Sequence, residues 1–413
     1  DTLTNIQGLI GSDFNDSLTG DGNNNWFDGG VGADTIDGGQ GNDTLAYASA
    51  TGGVSVTLGG GNSQSDNLTS IENLVGSVYG DTLTGDVGDN VIEGDLGNDA
   101  LNGADGIDTV SYSRAVAGVT ISLALATAQN TVSAGFDTLN NFENVTGSAY
   151  ADTLTGSVGA NIITGGSGED LLIGSAGSDT LAGGGGVDRV SYQGSGAVTV
   201  TINGTAVHDG YTDILTGIEN LIGSDFNDTM TGDAGDNVID GGLGNDTILG
   251  DGGSDTITYA NAGVAIVADL SGAGVNVFGG AYGDDSLSLI ENIIGSSGDD
   301  TLTGDGNANV IEGGAGNDVL NGGAGNDTVA YSFATSGVTV SLAVSTAQAT
   351  GGAGTDTLSN FESLTGSAYS DTLFGSSVAN TLDGGAGDDV LIGGVGADVL
   401  IGGSGLDTAS YGG

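Results

Sequence analysis

Residues 384–410 read GGAGDDVLI, GGVGADVLI and GGSGLDTAS, three nine-residue units set end to end without a gap. Each fits Gly-Gly-x-Gly-x-Asp-x-U-x, where U is a large aliphatic residue. The glycines permit a sharp turn through positive φ. The x-U-x triplet is too short for a helix but long enough for a short strand. Two turn-and-strand units therefore close one flattened coil of eighteen residues. Stacked at the strand spacing of about 4.8 Å, such coils bury their U side chains in a thin core between parallel sheets. The same pattern extends outward through the chain as 26 units, some with degenerate glycines. The sixth position is Asp or Asn in every unit, and the eighth is large and apolar in all but the last, where it is Ala409.

The composition agrees with a coil that turns every few residues. Among 413 residues there are 84 glycines, no proline, no cysteine and 5% aromatics. Proline would remove a donor from strands that must serve two neighbours, and zero cysteine excludes disulfides and thiolate metal sites. Arg114 and Arg189 are the only basic side chains besides His208, against 54 acids, for a net charge of -52. Such a chain repels itself unless cations neutralise it. It offers no basic patch for nucleic acid and is repelled by anionic lipid. Eight of the acids are Glu, leaving 46 Asp, a bias that favours short carboxylates fixed in turns over a solvating acidic surface. No apolar run reaches the ~18 residues of a membrane span, so no membrane insertion is expected, and the first residues carry no signal-peptide pattern.

The units form six blocks of four, four, five, four, four and five, starting at Gly11, Gly76, Gly147, Gly223, Gly295 and Gly366. Interludes of about thirty residues separate them, residues 112–145 being one example. Interludes share a β-rich segment (GVSVTL from Gly53, GVTISL from Gly118, GVTVSL from Gly337) and then Asp-x-Leu-x-x-(Ile/Phe)-Glu-(Asn/Ser). The Glu of that segment recurs as Glu72, Glu143, Glu219, Glu291 and Glu362, with Gln7 in the first copy. Six modules are expected, at 1–75, 76–146, 147–222, 223–294, 295–365 and 366–413. Blocks one to three resemble blocks four to six in turn, so a three-module unit is present nearly twice. Such periods mean a stacked array.

Sixth-position residues recur every eighteen residues on one edge, Asp34 above Asp16 and Asp99 above Asp81. Carboxylates stacked at about 5 Å repel unless a cation lies between them, and Asp oxygens with turn carbonyls are the hard ligands calcium prefers. The candidate calcium ligands are Asp16, Asn25, Asp34 and Asp43; Asp81, Asn90, Asp99 and Asp108; Asp152, Asn161, Asp170, Asp179 and Asp188; Asp228, Asn237, Asp246 and Asp255; Asp300, Asn309, Asp318 and Asp327; and Asp371, Asn380, Asp389, Asp398 and Asp407. The second unit of every block carries Asn. It either weakens calcium binding on that edge or satisfies the incoming turn alone.

On these repeats the chain resembles the RTX (hemolysin-type calcium-binding) family over essentially its whole length. The resemblance implies an all-β, right-handed parallel β-roll or β-solenoid with one calcium between loops on consecutive coils. It also implies secretion through a type I exporter, although the family's C-terminal export signal is not found at SYGG. One ion per same-edge pair predicts about 14 structural Ca2+, bringing the charge to about -24 and coupling folding to the metal.

Outside the turns, the interlude Glu residues fit a calcium ligand, a strand cap or a solvated residue. The block-ending tyrosines Tyr47, Tyr112, Tyr192, Tyr259, Tyr331 and Tyr411 read as core plugs, His208 as an exposed loop residue, and Trp26 as either a surface contact or a packed edge. One histidine and no cysteine preclude a two-histidine zinc site. A Ser-His-Asp triad would need His208, so no catalysis is expected. Mixed loop positions argue against an ice-binding face. The expected role is a secreted structural protein of the cell surface, as a filament, a surface-layer or matrix component, or an adhesin stalk, on the order of 100 Å long. Uncapped coil edges at Asp1 and Gly413 predict end-to-end self-association. The alternative is the repeat region of a secreted enzyme or toxin whose catalytic domain lies elsewhere.

Overall fold

A triplet such as Thr82-Leu83-Thr84 can bury only its middle side chain, because successive residues of a strand point to opposite faces. Leu83 is accordingly fully buried and Thr82 exposed. A computed structural model describes residues 6–272, 277–278 and 280–411. Nearly all of its regular structure is short parallel strands, with a single 3-10 turn at Gly280–Tyr282. The chain is an all-β parallel β-roll built from the nonapeptide units and their interludes. The terminal residues Asp1 and Gly413, where end-to-end association was expected, lie outside the described residues.

Two compact units divide the chain, residues 1–192 with 203–218, and residues 193–202 with 219–413. In the first, one sheet stacks Gly8–Ser12, Trp26–Gly30, Thr44–Ala46, Asn73–Val75, Val91–Glu93, Thr109–Ser111, Asn144–Thr146, Ile162–Ser167, Thr180–Gly185 and Tyr211–Thr216. Facing strands belong to shorter sheets, among them Thr82–Thr84, Ala100–Asn102 and Phe136–Asn140. In the second unit the long sheet runs from Asn220–Ile222 to Val399–Ile401. Register is held by the U residues. Leu83 pairs with Leu101 and Leu101 with Leu139, while Ile92 pairs with Val110 and Val110 with Val145. A one-residue slip would turn every one of these aliphatics outward.

Each interlude is shared between its neighbours. In the first, Ser55–Thr57 pairs forward with Thr82–Thr84 of the next block. Asn67–Thr69 pairs back onto Thr35–Asp37, and Asn73–Val75 onto Thr44–Ala46. The second and fifth interludes repeat this, Thr120–Ser122 pairing with Thr153–Thr155 and Thr339–Ser341 with Thr372–Phe374.

Five of the six block-ending tyrosines are buried, as expected of plugs, but Tyr411 is 91% exposed. The reading of His208 is corrected. Thr205–His208 and Tyr211–Thr216 form an antiparallel hairpin around Asp209-Gly210, both at positive φ (47° and 88°), the signature of a tight two-residue turn. Alternation along that strand sends Ala206 and His208 inward, and His208 is 2% exposed. Trp26 lies at the start of its strand, half-buried.

Candidate metal sites

Every same-edge pair expected from the eighteen-residue spacing is joined by one hydrogen bond. The backbone N–H of the lower residue donates to Oδ1 of the Asp one coil on. Asp81 reaches Asp99 at 2.8 Å, Asn90 reaches Asp108 at 2.8 Å, and Asp152, Asp170 and Asp188 are linked at 2.8 and 2.9 Å. The remaining pairs repeat this at 2.7–3.1 Å: Asp16 with Asp34, Asn25 with Asp43, Asn161 with Asp179, Asp228 with Asp246, Asn237 with Asp255, Asp300 with Asp318, Asn309 with Asp327, Asp371 with Asp389, Asn380 with Asp398, and Asp389 with Asp407.

The second carboxylate oxygen divides the turns into two kinds. In the first unit of a block the second residue is Ser, and its N–H closes on the Asp. Ser77 N reaches Asp81 Oδ2 at 2.6 Å, its hydroxyl bonds Oδ1 at 2.9 Å, and Val54 N reaches Oδ1 at 2.7 Å. Asp152, Asp228, Asp300 and Asp371 are enclosed in the same way by Ser148, Ser224, Ser296 and Ser367, and Asp16 by Ser12 alone. In the second unit the N–H of the second residue donates to Asn Oδ1, as Asp86 does to Asn90 at 2.8 Å. From the third unit onward the second residue is left-handed, for example Gly385 at φ 87°, Asp95 at 66° and Ala104 at 81°. In six of these turns its N–H turns back to the side chain two residues earlier, as Ala104 N does to Asn102.

In eleven of those turns no N–H reaches Oδ2. It is buried and without a hydrogen-bond partner in Asp34, Asp43, Asp99, Asp108, Asp170, Asp179, Asp246, Asp255, Asp318, Asp327 and Asp389. Leaving an ionised oxygen buried and unpaired is costly. Burial pushes Asp99 and Asp246 up to about 8, Asp318 to about 7, and Asp170, Asp179 and Asp255 to about 6. Carboxylates on adjacent coils add to the effect, Asp137 and Asp81 acting on Asp99. The turn also leaves no room for a side chain at its first glycine, because a Cβ on Gly94 would collide with Asp99 Oδ2.

Orphaned, desolvated carboxylate oxygens beside a glycine turn fit a hard divalent cation. Among the described residues no three His, Asp or Glu side chains converge on one point. A cation would thus be held by the aspartates of the later turns, and backbone carbonyls would complete its oxygen shell.

Two sets of interlude carboxylates finish the ladders. Glu72, Glu143, Glu291 and Glu362 accept the N–H of the last Asp on their edge (Asp43, Asp108, Asp255 and Asp327) at 2.7–3.0 Å, which is the strand-cap role. Asp66, Asp137, Asp213, Asp285 and Asp356 do the same for the other edge and were not singled out from the sequence. Each also accepts a hydrogen bond from a block-ending tyrosine hydroxyl, at 2.8–3.4 Å, from Tyr47, Tyr112, Tyr192, Tyr259 and Tyr331 respectively. The signal was present, since their Asp-x-Leu repeats the Asp-x-U of the units outside the nine-residue frame. Asp213 further faces His208 Nε2 at 3.0 Å, where Thr350 serves Asp356 in the fifth interlude at 3.1 Å.

A comparison with curated proteins finds no match. The model of the RTX calcium-binding nonapeptide repeat, which spans four copies, matches residues 10–45, 75–110, 137–172, 146–181, 164–192, 222–257, 294–329 and 374–409. These matches cover more than half of the chain and coincide with the carboxylate ladders, so the protein is a calcium-binding repeat protein that belongs to the RTX nonapeptide repeat family.

Proposed function

We propose that the chain is a non-catalytic structural element of the bacterial exterior, folded and stiffened by calcium once it leaves the cell. Its role would be that of a surface filament, a surface-layer or matrix component, or an adhesin stalk. The observation that carries this reading is the row of orphaned later-turn oxygens, which oppose folding until a cation arrives. In low cytosolic calcium the charge of -52 keeps such a chain open, and millimolar external calcium folds it by mass action. Repeats and interludes occupy the described residues throughout, which favours a mechanical role for the stacked coils over a chemical one.

The test is calcium titration of chelator-stripped protein, followed by circular dichroism and sedimentation, with magnesium as the control ion. A cooperative, calcium-specific transition from coil to β structure with growth into long particles is the expected outcome. Folding without growth would replace the filament by a monomeric stalk or a passenger region of a larger secreted protein. Full β structure in chelator at neutral pH would overturn the structural role of calcium.

A further inference from the structure

The asparagines of the second units have a partner that their turns alone do not explain. Asn90 Nδ2 donates to the backbone carbonyl of Glu72 at 2.8 Å, and Asn161 to that of Glu143 at 2.5 Å. Asn237, Asn309 and Asn380 do the same toward Glu219, Glu291 and Glu362 at 2.9, 2.7 and 3.0 Å. Elsewhere the carbonyl of a sixth-position residue is taken by the N–H of the seventh residue one coil on, as Ala100 N takes Asp81 O. At four of these seams that N–H is diverted to the side chain of the residue after the Glu. Val91 bonds Asn73, Ile162 bonds Asn144, Val238 bonds Asn220 and Val310 bonds Asn292. The Glu carbonyl so released is the one the amide occupies, and Asn Oδ1 is already filled by the second-residue N–H.

A carboxylate in this place would press its second oxygen against the Glu carbonyl, two acceptors with nothing between them. One coil further along the same edge, Asp108, Asp179, Asp255 and Asp327 do carry a second oxygen, and it is orphaned. We infer that the five seam amides stand in for a cation, so that calcium is excluded where a block begins and loads only the turns from the third unit onward. The inference rests on the calcium reading above. It makes Asn in place of Asp the choice that keeps the second unit of a block metal-free, where Nδ2 faces a Glu carbonyl and no N–H. The calcium of each block then forms a cluster separated from the next by a neutral, hydrogen-bonded seam.

The test is the number of calcium ions bound per full-length folded chain, from equilibrium dialysis against calcium chloride and atomic emission. Wild type should hold about 14 ions, one for each later turn. Asn90→Asp should add about one ion and raise the calcium concentration needed for half-maximal β structure. Combined substitution of Asn90, Asn161, Asn237, Asn309 and Asn380 by Asp should add about five ions. A folded Asn90→Asp chain that binds no additional ion overturns the inference. Should that variant not fold, Asp108→Asn serves in its place: it should bind one ion fewer, and unchanged uptake overturns the inference equally. Wild type that folds but takes up no calcium sinks the calcium reading itself, whereas normal wild-type uptake with an unresponsive seam sinks the inference alone.

Discussion

Asp81 and Asp99 occupy the same consensus position on the same edge, one coil apart, and are equally buried. Asp81 has both oxygens filled by Ser77 and Val54, while Asp99 has one oxygen left over. The difference is decided four residues earlier. Ser77 keeps an ordinary backbone and gives its N–H to the carboxylate, whereas Asp95 is left-handed and Asp99 Oδ2 receives no N–H. A single repeat motif thus yields two chemically distinct turns, one completed by the chain itself and one left with an oxygen open to a cation.

The widest separation between the two kinds should come from pH without metal. Raised carboxyl pKa values mean that the folded chain holds more protons than the unfolded chain, whose carboxyls titrate near about 4. Metal-free stability therefore falls as pH climbs from about 4 to about 8, the range set by Asp170, Asp318 and Asp99. Chelator-treated protein should be unfolded near pH 8 and recover β structure near pH 5, read by circular dichroism. In calcium the same acidification should weaken ion binding, because protons and ions contend for the same oxygens.

Next in size is a pair of substitutions. Asp99→Asn keeps an Oδ1 acceptor for Asp81 N–H and removes a buried charge. It should increase β structure in chelator at neutral pH, lower the melting temperature in calcium, and cost one bound ion. Asp81→Asn should destabilise the calcium-loaded fold by about 1–3 kcal/mol with no change in ion number, since a donor would then face Val54 or Ser77 N–H. If both variants responded alike, the two kinds of turn would not be distinct.

A smaller effect is expected at the ladder ends. Tyr112→Phe removes the hydroxyl that donates to Asp137 at 3.1 Å. It should cost about 1–3 kcal/mol in thermal or urea unfolding, both in calcium and in chelator at pH 5. The smallest is His208→Thr, which installs the residue used beside Asp356. It should stay within about 1 kcal/mol, and a large loss would mean that the imidazole does more than fill the hairpin.

The roll itself was legible because U residues at a fixed spacing of nine leave one register that buries them all. The edge pairs of Asp followed from the same arithmetic. Asp66 and its four counterparts escaped because the interludes break the nine-residue frame, although their Asp-x-Leu carries the same local sense. His208 escaped for a different reason. Reading the interlude as loop ignored the alternation of Thr205-Ala206-Val207-His208 before an Asp-Gly turn. The partner of Asn90 could not be read at all, because it is a backbone carbonyl that only Asn73 sets free. Ser or Asp stands at the second position of every opening turn, but Asp95, Ser175 and Asp251 hold the same position in later turns, so the left-handed backbone there could not be read from residue type.

The divided pairing of the interludes also fixes an order of events along the chain. Ser55–Thr57 finds its parallel neighbour in Thr82–Thr84, which emerges later, while Asn67–Thr69 docks on strands already laid down. A growing chain therefore always carries one unfinished strand that waits for the next block, and each block's arrival locks the one before it. Interior blocks cannot melt without stripping strands from both neighbours, which couples them as adjacent repeats in a linear array. Fragments should obey the same grammar. A chain cut at Val75 leaves Ser55–Thr57 without its neighbour, while one cut at Ser111 completes it. The longer fragment should fold on calcium as a sharp single transition and the shorter one should fray.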